Sequence, residues 1–400
     1  MQKKVIALAI AGLFSGAAFA QSANVTLYGV ADVGVVVDNS GYGNKVGVTS
    51  GGGNTSRIGL KGSEDLGNGL SAIFTLESGV QLDTGVTGGG AVAPGLNKAQ
   101  VSSGFGGQYI NNAGTGGAVW SRQAWAGLSS KTLGTLTFGK QYSPMVPVYY
   151  AIDTFSFATA GTMFSAMAYI PGYTTRPNNA AKYVSPKFFN GWQVEAMLTS
   201  GTENNVQGDD QALGVSDKAG RLSGLNVFYS QGPLNLGLAY HNNNGNNPIT
   251  AVQSKVISSQ GWVLGGNYDF GMLKLYAGYG RGKERDRAVA LVALPLIPAE
   301  ANAWHIGINV PAGRGNVLLG YSKLNDKTYN LPGANFKAWA LGYRYPLSKR
   351  TMLYTTYTKG DNDTNATRPL LSAGDTAALV TPAKAGFDPS RWDFGMSHSF

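Results

Sequence analysis

The last ten residues, RWDFGMSHSF at 391–400, separate into two sets when read alternately. Trp392, Phe394, Met396, His398 and Phe400 fall on one side of an extended chain, and Arg391, Asp393, Gly395, Ser397 and Ser399 on the other, because successive side chains of a strand point to opposite faces. Working back from this end, the same period of two appears at Trp304, Ile306, Ile308 and Val310 against His305, Gly307 and Asn309. It appears again at Trp262, Leu264, Tyr268 and Phe270 against Val263, Asn267 and Asp269. From Asn24 onward one unit recurs: an alternating stretch of about ten residues, a short turn, a second such stretch and a longer polar loop. One face suits lipid and the other water. Lipid supplies no partner for backbone N–H and C=O groups, so strands of this kind cross a membrane only as a closed barrel.

Counting segments predicts an all-β fold, an antiparallel transmembrane β-barrel of about sixteen strands, an even number that puts both chain ends on the same side. Glu64-Asp65-Leu66-Gly67-Asn68-Gly69, Gly232-Pro233 and Pro346-Leu347-Ser348-Lys349 read as short periplasmic turns. The Gly/Asn-rich stretches at 81–119, 201–219, 242–259, 283–301, 325–335 and 361–389 read as long extracellular loops. Trp192, Tyr240, Trp262, Tyr268, Tyr343 and Tyr345 stand near strand ends, where aromatic girdles meet the two membrane interfaces.

Composition agrees. Charged residues make up 13% of the chain, about half the ~25% usual for soluble domains, and the 57 glycines are about twice the usual ~7% share. Mean hydropathy is only −0.09, and beyond residue 20 no apolar run reaches the ~18 residues of a spanning helix, which excludes a helical bundle. The absence of cysteine excludes disulfide scaffolds, thiolate metal sites and cysteine nucleophiles. The first twenty residues read separately: Lys3 and Lys4 before the apolar run Val5 to Phe14, then Ala18-Phe19-Ala20, the pattern of an export signal cleaved after Ala20. The expected organisation is a signal peptide at 1–20 and a barrel at 21–400. Removing the signal takes the formal charge from +9 to +7, yet the basic residues are scattered over strands and form no nucleic-acid module.

Catalytic and metal patterns are poor. Gly134 to Lys140 begins like a phosphate loop, but Gln141 stands where Ser or Thr is required and the segment alternates as a strand. Asp361, Asp363 and Asn365 open like a calcium loop, which Ala366 and Ser372 then break at its sixth and twelfth positions. His241, His305 and His398 sit in three distant strands. The sequence therefore implies no cofactor, no metal site and no enzyme. Incidental cation binding in the acidic loop stays open, and the apolar stretch Ala288 to Ala299 has no assigned role. With Ile58 and Leu60 toward lipid, alternation points Arg57 and Lys61 into the lumen, and Asp32 and Glu77 also face inward.

Four stretches resemble the trimeric general porins of β-proteobacteria and Neisseria: NVTLYGVADVGVVV at 24–37, SRIGLKGSEDLGNGLSAIFTLESG at 56–79, SRQAWAGLSSKTLGTLTFGKQYSP at 121–144, and the ending at 391–400. The likeness spans the whole mature chain and is most specific at SEDLGNGL, RQAWAGL and Phe400. It implies a sixteen-stranded barrel, a homotrimer in outer-membrane lipid, and a third extracellular loop folded into the lumen. It also implies that Phe400 completes the signal read by the barrel-assembly machinery. The third loop would be Ser143 to Thr175. Its seven aromatic residues, Tyr149, Tyr150, Phe155, Phe157, Phe164, Tyr169 and Tyr173, are too much apolar area for a solvated tether. The chain departs from the family in charge. Asp153 is the only acid in this loop, and Ala158-Thr159-Ala160-Gly161 and Ser165-Ala166-Met167-Ala168 replace the usual acidic turn.

The resemblance also puts Arg122 and Arg176 on the pore wall, completing a basic ladder with Arg57 and Lys61. The implied function is a water-filled channel for passive diffusion of small hydrophilic solutes, with a preference for anions; Asp32, Glu77 and Asp153 as neutralising partners form the competing reading. An adhesin or receptor built on the loops, or an outer-membrane hydrolase, are the alternative functions. Trimer contacts are expected along the first few strands, at outward positions such as Ile58, Leu60, Ile73 and Phe74. The export reading makes one direct prediction: intact mass spectrometry of the membrane-inserted protein should give a chain beginning at Gln21, and a mass retaining Lys3 and Lys4 would refute cleavage after Ala20.

Overall fold

The computed structural model describes residues 24–87, 119–200, 221–246, 256–285, 300–328, 333–372 and 383–400. The export signal, and the apolar stretch Ala288 to Ala299, lie outside these residues. The alternating segments form seventeen strand segments in chain order: β1 (Asn24–Asn39), β2 (Asn44–Ser50), β3 (Arg57–Gly67), β4 (Leu70–Gly79), β5 (Gln123–Ser130), β6 (Gly134–Lys140), β7 (Ala180–Val184), β8 (Trp192–Thr199) and β9 (Leu222–Gln231). They continue as β10 (Leu234–Asn246), β11 (Val256–Asp269), β12 (Lys274–Arg285), β13 (Glu300–Ala312), β14 (Gly315–Asp326), β15 (Phe336–Pro346), β16 (Thr351–Asn362) and β17 (Ser390–Ser399).

Neighbours pair antiparallel in sequence order, and the sheet closes on itself through β1 and β17. β2 and β3 are two halves of one stave. β2 lies along Val33 to Asn39 of β1 and β3 along Asn24 to Val30, while residues 51–56 leave the wall between them. The barrel therefore has sixteen staves, as expected from the sequence. At the seam, β1 and β17 pair from Asn39↔Ser390 to Val30↔Ser399, and Gly29 and Phe400 then exchange two backbone hydrogen bonds of 3.1 Å each. Among the described residues no strand edge is left for lipid to meet, and with it no row of unpaired amides.

The turns follow from local chemistry. Asn68 and Gly69 both adopt positive φ, 53° and 75°, the backbone a tight hairpin needs to match the twist of its strands. Gly232-Pro233 and residues 347–350 close hairpins as expected. Several strands run past the expected ten residues. β10 and β11 remain paired as far as Asn246↔Val256, so much of the stretch expected as a loop at 242–259 is barrel wall. β12 and β13 likewise extend to Arg285 and back to Glu300.

Side chains sort as the alternation requires. Leu236, Leu238, Leu264, Ile306, Leu319, Leu341 and Phe394 stand exposed on the outer face, whereas Ala239, Val263, Ala303 and Asp393 are buried on the inner one. A water-soluble chain would hide the first set; lipid accepts it without cost. Trp262 with Tyr279, Trp304 with Tyr321, Trp339 with Tyr357 and Tyr357 with Trp392 form ring contacts of 4.7–5.5 Å along the girdle. One expected outward position is corrected. Phe74 pairs with Gly62 on the face of Leu60, so its neighbour Ile73 turns to the inner face shared by Thr75 and Glu77.

The third loop folds inward and includes two helices, α1 (Met145–Ile152) and α2 (Phe164–Met167), which sequence alternation did not indicate. Glycines on the inner faces of β10 to β15 make the trough it lies in. A Cβ at Gly237 would come 2.7 Å from Val148, and one at Gly342 would come 2.8 Å from Phe155. At Gly278 and Gly307 a side chain would overlap Ile152 and Thr154. Tyr149, Ile152, Met163, Met167, Tyr169 and Tyr173 are buried in one cluster with Ala239, Val263 and Ala303 of the wall.

Closure at the last residue yields a prediction. Deleting Phe400 removes both hydrogen bonds to Gly29 and a lipid-facing ring. Export should persist while barrel insertion falls severalfold, measured as the fraction of protein that resists unfolding in unheated gels of outer-membrane extracts. Normal insertion of the truncated chain would refute this role.

Candidate functional site

The inward-folded loop lies against β9 to β15, which leaves the open cross-section between its free side and the wall formed by β1 to β7. Three guanidinium groups converge there around one carboxylate and one phenol. Arg122 Nε donates to Glu77 Oε1 at 2.7 Å, and Arg57 Nε lies 3.7 Å from Glu77 Oε2. Tyr28 donates to the same oxygen at 3.0 Å. Arg57 also holds Asn54 Oδ1 and the Thr55 carbonyl, which fixes it to the segment leaving the wall between β2 and β3.

Tyr142, between β6 and α1, links the ladder. Its hydroxyl oxygen accepts from Arg122 Nη2 at 2.8 Å and from Arg176 Nη2 at 3.2 Å, and Arg176 stacks 4.8 Å from the ring centre. Burial pushes the Tyr142 phenol up, but the two flanking guanidinium charges outweigh it and hold the phenol below its ordinary range. Lys140 donates to Asn178 Oδ1 at 2.8 Å, and Lys182 to the Tyr142 carbonyl at 3.2 Å.

The sequence reading brought Arg57, Arg122 and Arg176 to one place, and so does the fold. Lys61 stays on the inner face but farther along β3, exposed, with Nζ 5.4 Å from the Tyr28 ring. The acids divide differently. Glu77 sits inside the basic cluster. Asp32 is fully buried, not water-facing, because residues 51–56 fold over it; Oδ1 accepts from Gly53 N at 3.1 Å and from Tyr354 OH at 2.8 Å. Asp153 is also fully buried. Its carboxylate accepts from the backbone N–H of Phe155 (3.1 Å), Phe157 (2.7 Å) and Met163 (3.3 Å), and from the Thr162 hydroxyl. The only acid of the third loop is thus consumed inside it and does not face the ladder.

Other contacts fix the loop across the lumen. Asn226 donates to the Pro144 carbonyl and Asn267 to the Ala151 carbonyl, each at 2.7 Å, and Arg344 donates to the Phe155 carbonyl. His305 lies between Thr154 Oγ1 (3.0 Å) and Ser322 Oγ (2.7 Å). It tethers the loop to β13 and β14. A second segment, residues 364–372, also turns inward. Arg368 is fully buried, paired with Asp326 at 3.0 Å and placed 4.6 Å from the Tyr169 ring, while Leu371 N donates to Ser165 Oγ at 3.1 Å.

Sequence reasoning missed Tyr142, Lys140, Lys182 and Arg368. Lys140 is the last residue of β6 and Tyr142 lies beyond it, so period-two reading ends where the site is built. The glycines spaced by two on successive strands were a usable signal for the wall that receives a loop.

A closed barrel with a polar interior and a loop that narrows it defines a transmembrane channel. The sequence profile of the Gram-negative porins matches residues 7–365, and the chain belongs to that family. An outer membrane porin protein of Bordetella pertussis is 29% identical over 398 residues, covering 88% of this chain and 93% of that protein. Outer membrane porin protein 32 of Delftia acidovorans is 29% identical over 413 residues and matches both chains end to end. The anion-selective porin from Comamonas acidovorans shares the fold with a TM-score of 0.71 at 24% identity, covering 95% of this chain and 100% of that one. The protein is accordingly an outer-membrane porin of a Gram-negative bacterium, a water-filled channel for small hydrophilic solutes.

Asp153 is the group whose removal should loosen the constriction. Asp153→Ala leaves four donors without their acceptor, each costing roughly 1–3 kcal/mol when buried. Single-channel recordings should show raised conductance and current noise, with strand content by circular dichroism unchanged. Recordings identical to wild type would show that this carboxylate does not hold the loop.

Proposed function

We propose that the channel prefers anions and passes them by diffusion alone, with no chemical step. The observation that carries this reading is the convergence of Arg57, Arg122 and Arg176 around Glu77 and Tyr142, opposite a loop whose single acid is turned into its own backbone. Lys140 and Lys182 add to the same side, and Glu195 lies near Lys182 as a partial counterweight. Five cations against two carboxylates leave a positive field in a narrow passage. Two unit charges ~6 Å apart at an effective dielectric of ~20 interact by roughly 3 kcal/mol, enough to bias permeation strongly. The family relative from Comamonas acidovorans, described as anion-selective, is consistent with this.

We further propose a homotrimer, assembled in outer-membrane lipid after delivery by the barrel-assembly machinery. Girdle aromatic pairs occur from β8 to β17, whereas the described outer face of β1 to β3 presents Val25, Leu27, Val33, Val35, Val46, Val48 and Ile58. Trp and Tyr mark surfaces that meet the membrane interface, so a face of aliphatic residues suits contact with another subunit. An adhesin role for the loops is compatible with the barrel, but no described feature favours it.

Reversal potentials under a potassium chloride gradient test the selectivity. Chloride should outrun potassium in dilute salt, and the preference should fade near ~1 M, where screening extends only ~3 Å against ~8 Å at ~0.15 M. Arg176→Glu should shift the reversal potential toward potassium. Arg122 is a poorer probe, because replacing it strands the buried Glu77. Unchanged reversal potentials for both Arg57→Glu and Arg176→Glu would overturn the reading.

A further inference from the structure

The third loop carries a row of rings in edge contact. Tyr149 meets Tyr173 at 5.0 Å, Tyr173 meets Phe164 at 5.8 Å, Phe164 meets Phe157 at 4.9 Å, and Phe157 meets Tyr150 at 4.2 Å. Tyr149, Tyr173 and Phe157 are buried, as apolar area in a folded loop should be. Tyr150, at the end of the row, is 44% exposed. Val148, Tyr149 and Ile152 of the same helix are buried against β10 to β12, so Tyr150 lies on the helix face turned away from that wall, the side on which Arg57, Arg122 and Arg176 stand. A large ring left in water, edge-braced by Phe157 and set across from three guanidinium groups, is an arrangement that simple narrowing of the pore does not require.

We propose that this pairing makes the constriction a transient binding site for aromatic carboxylates. The carboxylate of such a solute is taken by the guanidinium ladder, and its ring lies against Tyr150. Guanidinium groups match carboxylate geometry, and aromatic rings attract one another beyond the area they bury. Phe157 keeps the Tyr150 ring from turning away, so little freedom is lost when a solute ring docks. The proposal rests on the anion-preferring reading for its charge half, while the ring half is separate from it.

The experiment compares two anions of equal charge and similar size, benzoate and cyclohexanecarboxylate, as blockers of potassium chloride current through single channels of the full-length porin. Wild type should be blocked by benzoate at a concentration about three to ten times lower than by cyclohexanecarboxylate, the ratio that one aromatic pair supplies. Tyr150→Phe should keep that ratio, and Tyr150→Leu should bring it to about one. Because the ratio is taken within each variant, a general change in pore width cancels. Equal block by both anions in wild type would overturn the proposal, and so would a Tyr150→Leu channel that retained the benzoate advantage. The anion reading itself fails in a different measurement, the potassium chloride reversal potential, so the two failures are distinguishable.

Discussion

A backbone amide in hydrocarbon has no water to turn to, and the architecture of this protein is the consequence. Every spanning strand must find a neighbour on both sides, so the last strand must return to the first. The Gly29 to Phe400 pair is where that requirement is met at the chain terminus. The split stave shows how strict it is: the wall opens at residues 51–56, yet β1 is covered along both of its halves, by β2 and by β3. What leaves the wall there is put to use, covering Asp32 and holding Arg57.

Once the wall is closed, its inner surface is free to be uneven. Glycines on β10 to β15 remove side chains from one half of the lumen and so admit a helical loop, which buries its aromatic residues against a barrel interior that has little core of its own. Loop and wall become one unit through Asn226, Asn267, His305 and Arg344, and the segment carrying Arg368 braces it from the mouth. The opposite half keeps its long cationic side chains. The passage thus has two unlike sides, one aromatic and held rigid, the other charged and hydrogen-bonded through Tyr142.

Charge placement follows the same economy of burial. A buried carboxylate is tolerated only when its oxygens are satisfied, and Asp153 satisfies them with backbone donors of its own loop. Asp32 does so at Oδ1 alone, which accepts from Gly53 and Tyr354. Neither is left to offset the arginines, and Glu77 serves two of them at once. The positive character proposed for the constriction therefore rests as much on where the acids are buried as on the number of basic residues.

The sequence by itself determined the barrel. A period of two with one apolar face, repeated sixteen times between turn residues, has only one solution in lipid, and the terminal strand from Arg391 to Phe400 displays it in ten residues. It also placed Arg57 and Glu77 inward, because alternation fixes the face of every residue within a regular strand. Alternation is silent where strands end. Lys140, Tyr142, Arg122 and Arg176 lie at or beyond strand ends, while Asp32 is sealed off by residues 51–56 and Tyr354, and Asp153 by the backbone of its own loop. Which inward groups meet water, and which are consumed by hydrogen bonds, depends on contacts between separate strands and loops, such as Arg122 with Tyr142 and Asp32 with Tyr354, and only the tertiary structure brings those together.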